Sequence, residues 1–138
     1  MLLRGLRTLH VRVAHQCRSA GTIARALGEH DQVDEVLYPG LQTAKGHALA
    51  AKQMTGGFGG MLSVRVRGGE MAAIATAGRL NVWKRATSLG GVESLVEHRA
   101  SVEGTGSPCP PDLLRLSVGL EAVDDLIADL DQALSSNN

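Results

Sequence analysis

The sequence predicts an α/β domain of the layered α+β kind, a mostly antiparallel or mixed sheet covered by helices, and three observations lead there. Helical stripes and short strand candidates alternate irregularly along the 138 residues, without a strict βαβ rhythm. Several strand candidates are half-polar, which suits a sheet with one wet face better than one buried on both sides. The length is that of one domain, enough to bury a core without disulfide staples.

Each element follows from its pattern. Leu6, Leu9, Val13, Cys17, Ala20, Ala24 and Leu27 recur at steps of three and four, so one helix is expected from the start of the chain to Gly28, which would cap it. Such a helix spans about 40 Å, more than a small sheet covers, and suits an element that also packs on a second domain. Val33 to Leu37 reads as a strand closed by Tyr38-Pro39-Gly40, where proline fixes φ and glycine permits the reversal. A short helix is expected over Ala44 to Met54. The Gly56–Gly60 run then leads into a strand from Met61 to Arg67, with Leu62, Val64 and Val66 alternating with Ser63, Arg65 and Arg67.

Met71, Ile74, Ala75 and Gly78 suggest a helix of small residues, followed by strand candidates at Val82 to Thr87, Ser94 to His98 and Leu113 to Val118. Residues 99–111 read as a glycine- and proline-rich loop. Val123, Leu126, Ile127, Leu130 and Leu134 share one face of a last helix, with Asp124, Asp125, Asp129 and Asp131 expected toward solvent. The Ser135–Asn138 tail is expected to fray.

Composition removes several function classes. Lysine plus arginine equals aspartate plus glutamate at 14 each, so no net field draws the chain to nucleic acid or an anionic membrane. Cys17 and Cys109 form no CxxC pair, and the five histidines include no HExxH spacing, so no zinc site is expected. The Gly56–Gly60 run lacks the Gly-Lys-Ser/Thr ending of a nucleotide phosphate loop. No Gly-x-Ser-x-Gly elbow frames a nucleophile. Without a secretory signal or a bilayer-length apolar stretch, the protein reads as soluble and cytoplasmic. Five arginines before the first acid, Glu29, also match the charge pattern of a mitochondrial presequence.

Two segments carry chemistry. Arg115 lies in the apolar run Leu113-Leu114-Arg115-Leu116, where a guanidinium is costly unless it meets an anion, and its planar fork matches a carboxylate. The bland reading is an arginine on the wet face of an edge strand. Ser88-Leu89-Gly90-Gly91-Val92-Glu93-Ser94-Leu95 pairs two glycines between serines and can bring backbone N–H groups near a ligand.

These two segments, Ser88 to Leu95 and Leu114-Arg115-Leu116-Ser117-Val118-Gly119, resemble the carboxyl-terminal domain of the pyridoxal-phosphate-dependent enzymes of cysteine and methionine metabolism, the transsulfuration family of cystathionine gamma-synthase and gamma-lyase. Arg4-Gly5-Leu6-Arg7-Thr8-Leu9 is similar to the run where that family's large domain hands over to the small one, and a Tyr-Pro-Gly-Leu turn is shared, so the resemblance covers nearly the whole chain. It implies the small C-terminal domain of the aspartate-aminotransferase-like fold type I, with residues 1–138 as a single substrate-side domain and the large cofactor-binding domain absent. It further implies that Arg115 grips the substrate α-carboxylate, that Ser94 and Leu95 line the pocket, and that Glu93 accompanies γ-directed chemistry. Pyridoxal phosphate would serve the complete enzyme without a covalent bond to this chain, because Lys45, Lys52 and Lys84 all lack the family's Ser-x-x-Lys context. The implied function is carboxylate binding within a C–S bond-forming or -cleaving enzyme, this chain alone being inactive. A stand-alone binding or oligomerisation module is the alternative. The expected partners are an amino-acid substrate and either a second copy or a protein carrying the cofactor domain. The 99–111 segment departs from the family, since many relatives place a proline where Arg99 stands.

Overall fold

The computed structural model describes residues 2–137. In chain order they form α1 (Leu2–Leu6), α2 (Leu9–Gly28), β1 (Val33–Leu37), α3 (His47–Gln53), β2 (Met61–Val66), α4 (Gly69–Arg79), β3 (Lys84–Arg85), β4 (Leu95–His98), α5 (Arg99–Glu103), β5 (Leu113–Ser117) and α6 (Val123–Ser135). The strands make one five-stranded sheet in the order β1-β2-β5-β4-β3. All neighbours are antiparallel except β3 and β4, which run parallel, so the sheet is mixed as expected.

Alternation along the strands splits the sheet into two unlike faces. Leu62, Val64 and Val66 of β2, Leu114 and Leu116 of β5, and Val96 of β4 join Ile23, Ala24 and Leu27 of α2, Ala73 and Ala77 of α4, and Leu126, Leu130 and Leu134 of α6 in one core. On the opposite face the register places Ser63 beside Arg115 and Arg115 beside Glu97, in one row across β2, β5 and β4. Helices α2, α4 and α6 thus cover one face of the sheet.

The amino-terminal helix is broken where a continuous one was expected. Arg7 and Thr8 interrupt it, and the Arg12 guanidinium donates to Gly5 O at 2.9 Å and Thr8 Oγ1 at 2.6 Å, supplying partners for the break. Gly28 ends α2 without a left-handed cap; the Glu29 and His30 amides close the last turn on Ala26 O and Leu27 O. The Tyr38–Leu41 turn keeps Gly40 for space and not for φ, because a Cβ there would strike the Tyr38 ring. That ring is buried, and its hydroxyl donates to Gly59 O at 3.1 Å. Burial, reinforced by the nearby Cys17 and only partly offset by Arg25, pushes the Tyr38 phenol up to about 12, so it remains a donor.

Other departures have local causes. The helix expected over 44–54 begins only at His47, after a chain of turns from Leu41. The Val82–Thr87 strand shrinks to Lys84–Arg85, and residues 99–103, read as loop, form α5. In α4 the inward residues are Ala73, Thr76 and Ala77, whereas Met71 and Ile74 point outward, since close packing on the sheet and α6 admits only small side chains. The tail is tied down: Asn137 donates to Thr76 Oγ1 at 2.9 Å and accepts from Arg79, while Asn138 lies outside the described residues.

Asp129, expected in solvent, is 6% exposed. Its carboxylate accepts the backbone N–H groups of Asn81 at 3.0 Å, Val82 at 2.7 Å and Trp83 at 3.2 Å, while Trp83 Nε1 donates to Leu126 O at 3.1 Å. Helical periodicity places Asp129 between the buried and wet faces of α6, and the turn after α4 supplies the amides that hold it inside. Burial by itself raises the Asp129 carboxyl, but those amides and Gln132 outweigh it and hold the group below its ordinary range. A carboxyl lowered by folding contributes stability that is whole above about pH 4 and is lost as pH falls through the depressed value. Asp129→Ala is therefore expected to destabilise the chain by roughly 2–4 kcal/mol, the cost of stranding buried donors. Asp129→Asn should flatten the acid limb of stability. Urea unfolding followed by Trp83 fluorescence between pH 2 and 7 checks both.

Candidate functional site

The open face of the sheet centres on Arg115. Because β5 is the middle strand, the edge-strand reading of this arginine does not hold. Its side chain is 23% exposed and its Nη2 lies 2.6 Å from Glu97 Oε2, with Glu97 only 3% exposed directly across on β4. No guanidinium N–H is aligned along that contact, so Oε2 receives charge without a directed hydrogen bond. Glu97 Oε1 accepts from Thr87 Oγ1 at 2.7 Å and from Arg99 Nη1 at 3.3 Å, and Arg99 in turn reaches Glu103 at 2.6 Å. Arg115 Nη2 also donates a long bond, 3.4 Å, to Ser88 O, which brings the Ser88–Leu95 loop to the arginine.

That loop is fastened at both ends. Gln16 Nε2 donates to Gly91 O at 2.7 Å, and the Gly90 amide donates to Ser117 Oγ at 3.3 Å. At the β4 end, Glu121 accepts the Ser94 amide at 2.8 Å and the Ser94 hydroxyl at 2.7 Å, while Ser94 Oγ accepts the Gly119 amide at 2.8 Å. The Leu120 amide donates to Val92 O at 2.8 Å. The two backbones come so close that a Cβ on Gly119 would collide with Val92 O and the Glu93 carbonyl carbon.

The four residues singled out from the sequence separate in space. Arg115 and Leu95 share the open face, since Leu95 is paired with Ser117, two residues along the strand. Ser94, its neighbour in the chain, is fully buried and turns its hydroxyl to Glu121 and Gly119. Glu93 is exposed, with its carboxylate folded over Gly91. Local sequence patterns do not single out Glu97, Thr87, Arg99 or Glu121. Glu97 becomes visible only through the β4–β5 register, whereas Glu121 has a faint signal as an acid just beyond the Arg-Leu-Ser-Val-Gly run.

Among the described residues no three His, Cys, Asp or Glu side chains are placed to hold a metal, and no helix is long and apolar enough to cross a membrane. Cys17 and Cys109 are free thiols.

A layered, mixed five-stranded sheet covered by helices is the architecture of a domain in a fold type I pyridoxal-phosphate enzyme, and comparison with known proteins agrees. The family model described as Cys/Met metabolism PLP-dependent enzyme matches residues 1–135. The cystathionine gamma-synthase of Mycobacterium tuberculosis is 48% identical over 139 residues, covering 97% of this chain and 36% of that protein. L-methionine gamma-lyase of Fusobacterium nucleatum subsp. nucleatum is 41% identical over 143 residues, covering 96% of this chain and 35% of that protein. The crystal structure of metB from Corynebacterium glutamicum superposes with a TM-score of 0.93 at 47% identity, covering 98% of this chain and 36% of that one. The chain belongs to the pyridoxal-phosphate-dependent enzyme family of cysteine and methionine metabolism. It spans about a third of the length of these relatives.

The family's cofactor is pyridoxal phosphate. The described residues do not fit it by themselves: Lys45, Lys52 and Lys84 are all exposed, and the Lys84 ammonium donates to Asn81 O at 2.8 Å. A Schiff-base lysine needs a desolvated site beside its cofactor, and none of the three has one.

The crossing at Gly119 yields a direct expectation. Gly119→Ala forces residues 92–94 off β5, costing about 3 kcal/mol, the upper end for inserting a methyl into a packed site, because the obstacles are backbone atoms. Thermal unfolding of the variant, with amide exchange at Ser94 and Leu120, measures this.

Proposed function

We propose that this chain is the substrate-side domain of a pyridoxal-phosphate-dependent transsulfuration enzyme of the cystathionine gamma-synthase or gamma-lyase type, contributing the wall that binds the substrate carboxylate. One observation carries the reading. Arg115 stands on the open face of the central strand, and neither its Nε nor its Nη1 donates to any described residue. Only partly exposed, the guanidinium keeps donors for a carboxylate, which it binds more strongly than a fully solvated arginine would.

The other residues act around that grip. Leu95 supplies apolar wall beside Arg115, Ser94 anchors the loop through Glu121, and Glu93, exposed at the loop edge, matches the family glutamate that accompanies γ-directed chemistry. Pyridoxal phosphate supplies the electron sink of the complete enzyme from a domain beyond these residues, so this chain binds and orients substrate without catalysing turnover alone. The similarity to both a gamma-synthase and a gamma-lyase supports γ-directed C–S chemistry.

A hybrid enzyme tests the proposal. Replacing the matching third of the M. tuberculosis cystathionine gamma-synthase with this chain is expected to preserve cystathionine formation. Arg115→Ala in the hybrid should lower kcat/KM about 100-fold, the loss of a charge-assisted carboxylate contact. An unchanged kcat/KM in that variant would sink the assignment of Arg115.

A second reading, self-association as a stand-alone module, has its own observation. Leu2, Leu3 and Leu6 of α1 and Leu9, Val11 and Val13 of α2 are all more than 40% exposed. Exposed apolar side chains in a row need cover, either from a second copy or from a protein carrying the cofactor domain. Sedimentation equilibrium of the chain alone should show association at high concentration, and Leu3→Glu with Leu6→Glu should weaken it roughly tenfold or more. A wild-type monomer throughout would count against this surface.

A further inference from the structure

Glu97 is a buried carboxylate to which the proposed function gives no task. A carboxylate 3% exposed needs positive charge and donors around it, and here they come only from side chains: Thr87 and Arg99 on Oε1, and Arg115 beside Oε2. Such a group differs from Asp129, whose partners are mainly backbone amides that cannot move away.

The two oxygens are held differently. Oε1 is fixed by the short Thr87 hydroxyl bond and by Arg99, itself anchored on Glu103. Oε2 touches Arg115 Nη2 at 2.6 Å with no aligned N–H. The first oxygen therefore immobilises Glu97, and the second acts on Arg115 by charge while consuming none of its directed donors. Arginine has four side-chain torsions, and a freely rotating guanidinium would lose much of its binding free energy to ordering.

We propose that Glu97 is the positioning residue that presets Arg115 for a carboxylate ligand, and that Arg99 keeps Glu97 compensated when Arg115 engages that ligand. This inference rests on the Arg115 reading above. It makes the Glu97–Arg99 pair a determinant of amino-acid affinity, built by β4 register and by an arginine at the first position of α5.

The test separates the two ideas. In the 138-residue chain, 15Nη and 13Cζ NMR of Arg115, assigned through Arg115→Lys, reads rotation about Nε–Cζ. Wild type should show two resolved Nη signals, and Glu97→Ala should merge them with rotation at least tenfold faster. The Trp83 indole N–H resonance reports that the variant is folded. If Glu97→Ala does not fold, Glu97→Gln keeps the shape and the Thr87 bond, loses the charge, and should give the same merging. In the hybrid enzyme Glu97→Ala, or Glu97→Gln in its place, should raise KM for the amino-acid substrate about tenfold with kcat within twofold. Averaged Nη signals in wild type, resolved signals in the variant, or an unchanged KM would each overturn the inference. Arg115→Ala activity fails or holds separately, since the rotation measurement involves no substrate.

Discussion

The close approach of two backbone segments at Gly119 governs the shape of the open face. Ser94 serves both sides of the crossing: its amide and hydroxyl donate to Glu121, and its oxygen accepts the Gly119 amide. With Leu120 N–H on Val92 O, these bonds close the loop end over β5. Hydrogen bonds to a charged group contribute about 1.5–3 kcal/mol each, so the Glu121 carboxylate alone secures the crossing well. From that fixed point the chain runs back to Gly91 and Gly90, held by Gln16 and Ser117, and on to Ser88, whose carbonyl meets Arg115. A side chain at position 119 would lift the whole path.

Two buried carboxylates show how one fold assigns different duties to the same chemical group. Asp129 is satisfied chiefly by consecutive amides of a turn, with Gln132 adding a side-chain donor, and joins α6 to the segment after α4. Glu97 is held by hydrogen bonds from a hydroxyl and the Arg99 guanidinium on one oxygen and by the charge of Arg115 beside the other. Fixed dipoles make the first a structural weld. Movable cations make the second adaptable, which fits its place on the face that meets a ligand in the proposed function.

Elements with strong periodicity are legible in the amino-acid pattern. β1, β2, β5 and α6 lie where alternation or a three-four stripe puts them, and the mixed sheet follows from half-polar strands. The break at Arg7–Thr8 leaves no such mark because a helical stripe continues across it, and only Arg12 reaching back reveals the interruption. α5 is hidden by a segment rich in turn residues. α4 is recognisable as a helix of small residues, but Met71 and Ile74 mark its outer side, since tight packing there favours alanine and threonine over bulk.

The candidate site divides in the same way. Two short motifs, through their resemblance to a known family, put Arg115 and the Ser88–Leu95 loop at one site, while the residues themselves determined only that a guanidinium in an apolar strand requires an anion and that paired glycines admit close backbone contact. Periodicity likewise determined that Leu62, Val64 and Val66 of β2 face the core, since side-chain direction along a strand depends only on local parity. Tertiary structure alone decided that Glu97 sits opposite Arg115, that Ser94 turns inward to Glu121 while Leu95 faces the open side, and that Asp129 is buried. Each of these depends on strand register or on amides from a distant turn, and such pairings arise between residues too far apart in the chain for any local pattern to record them.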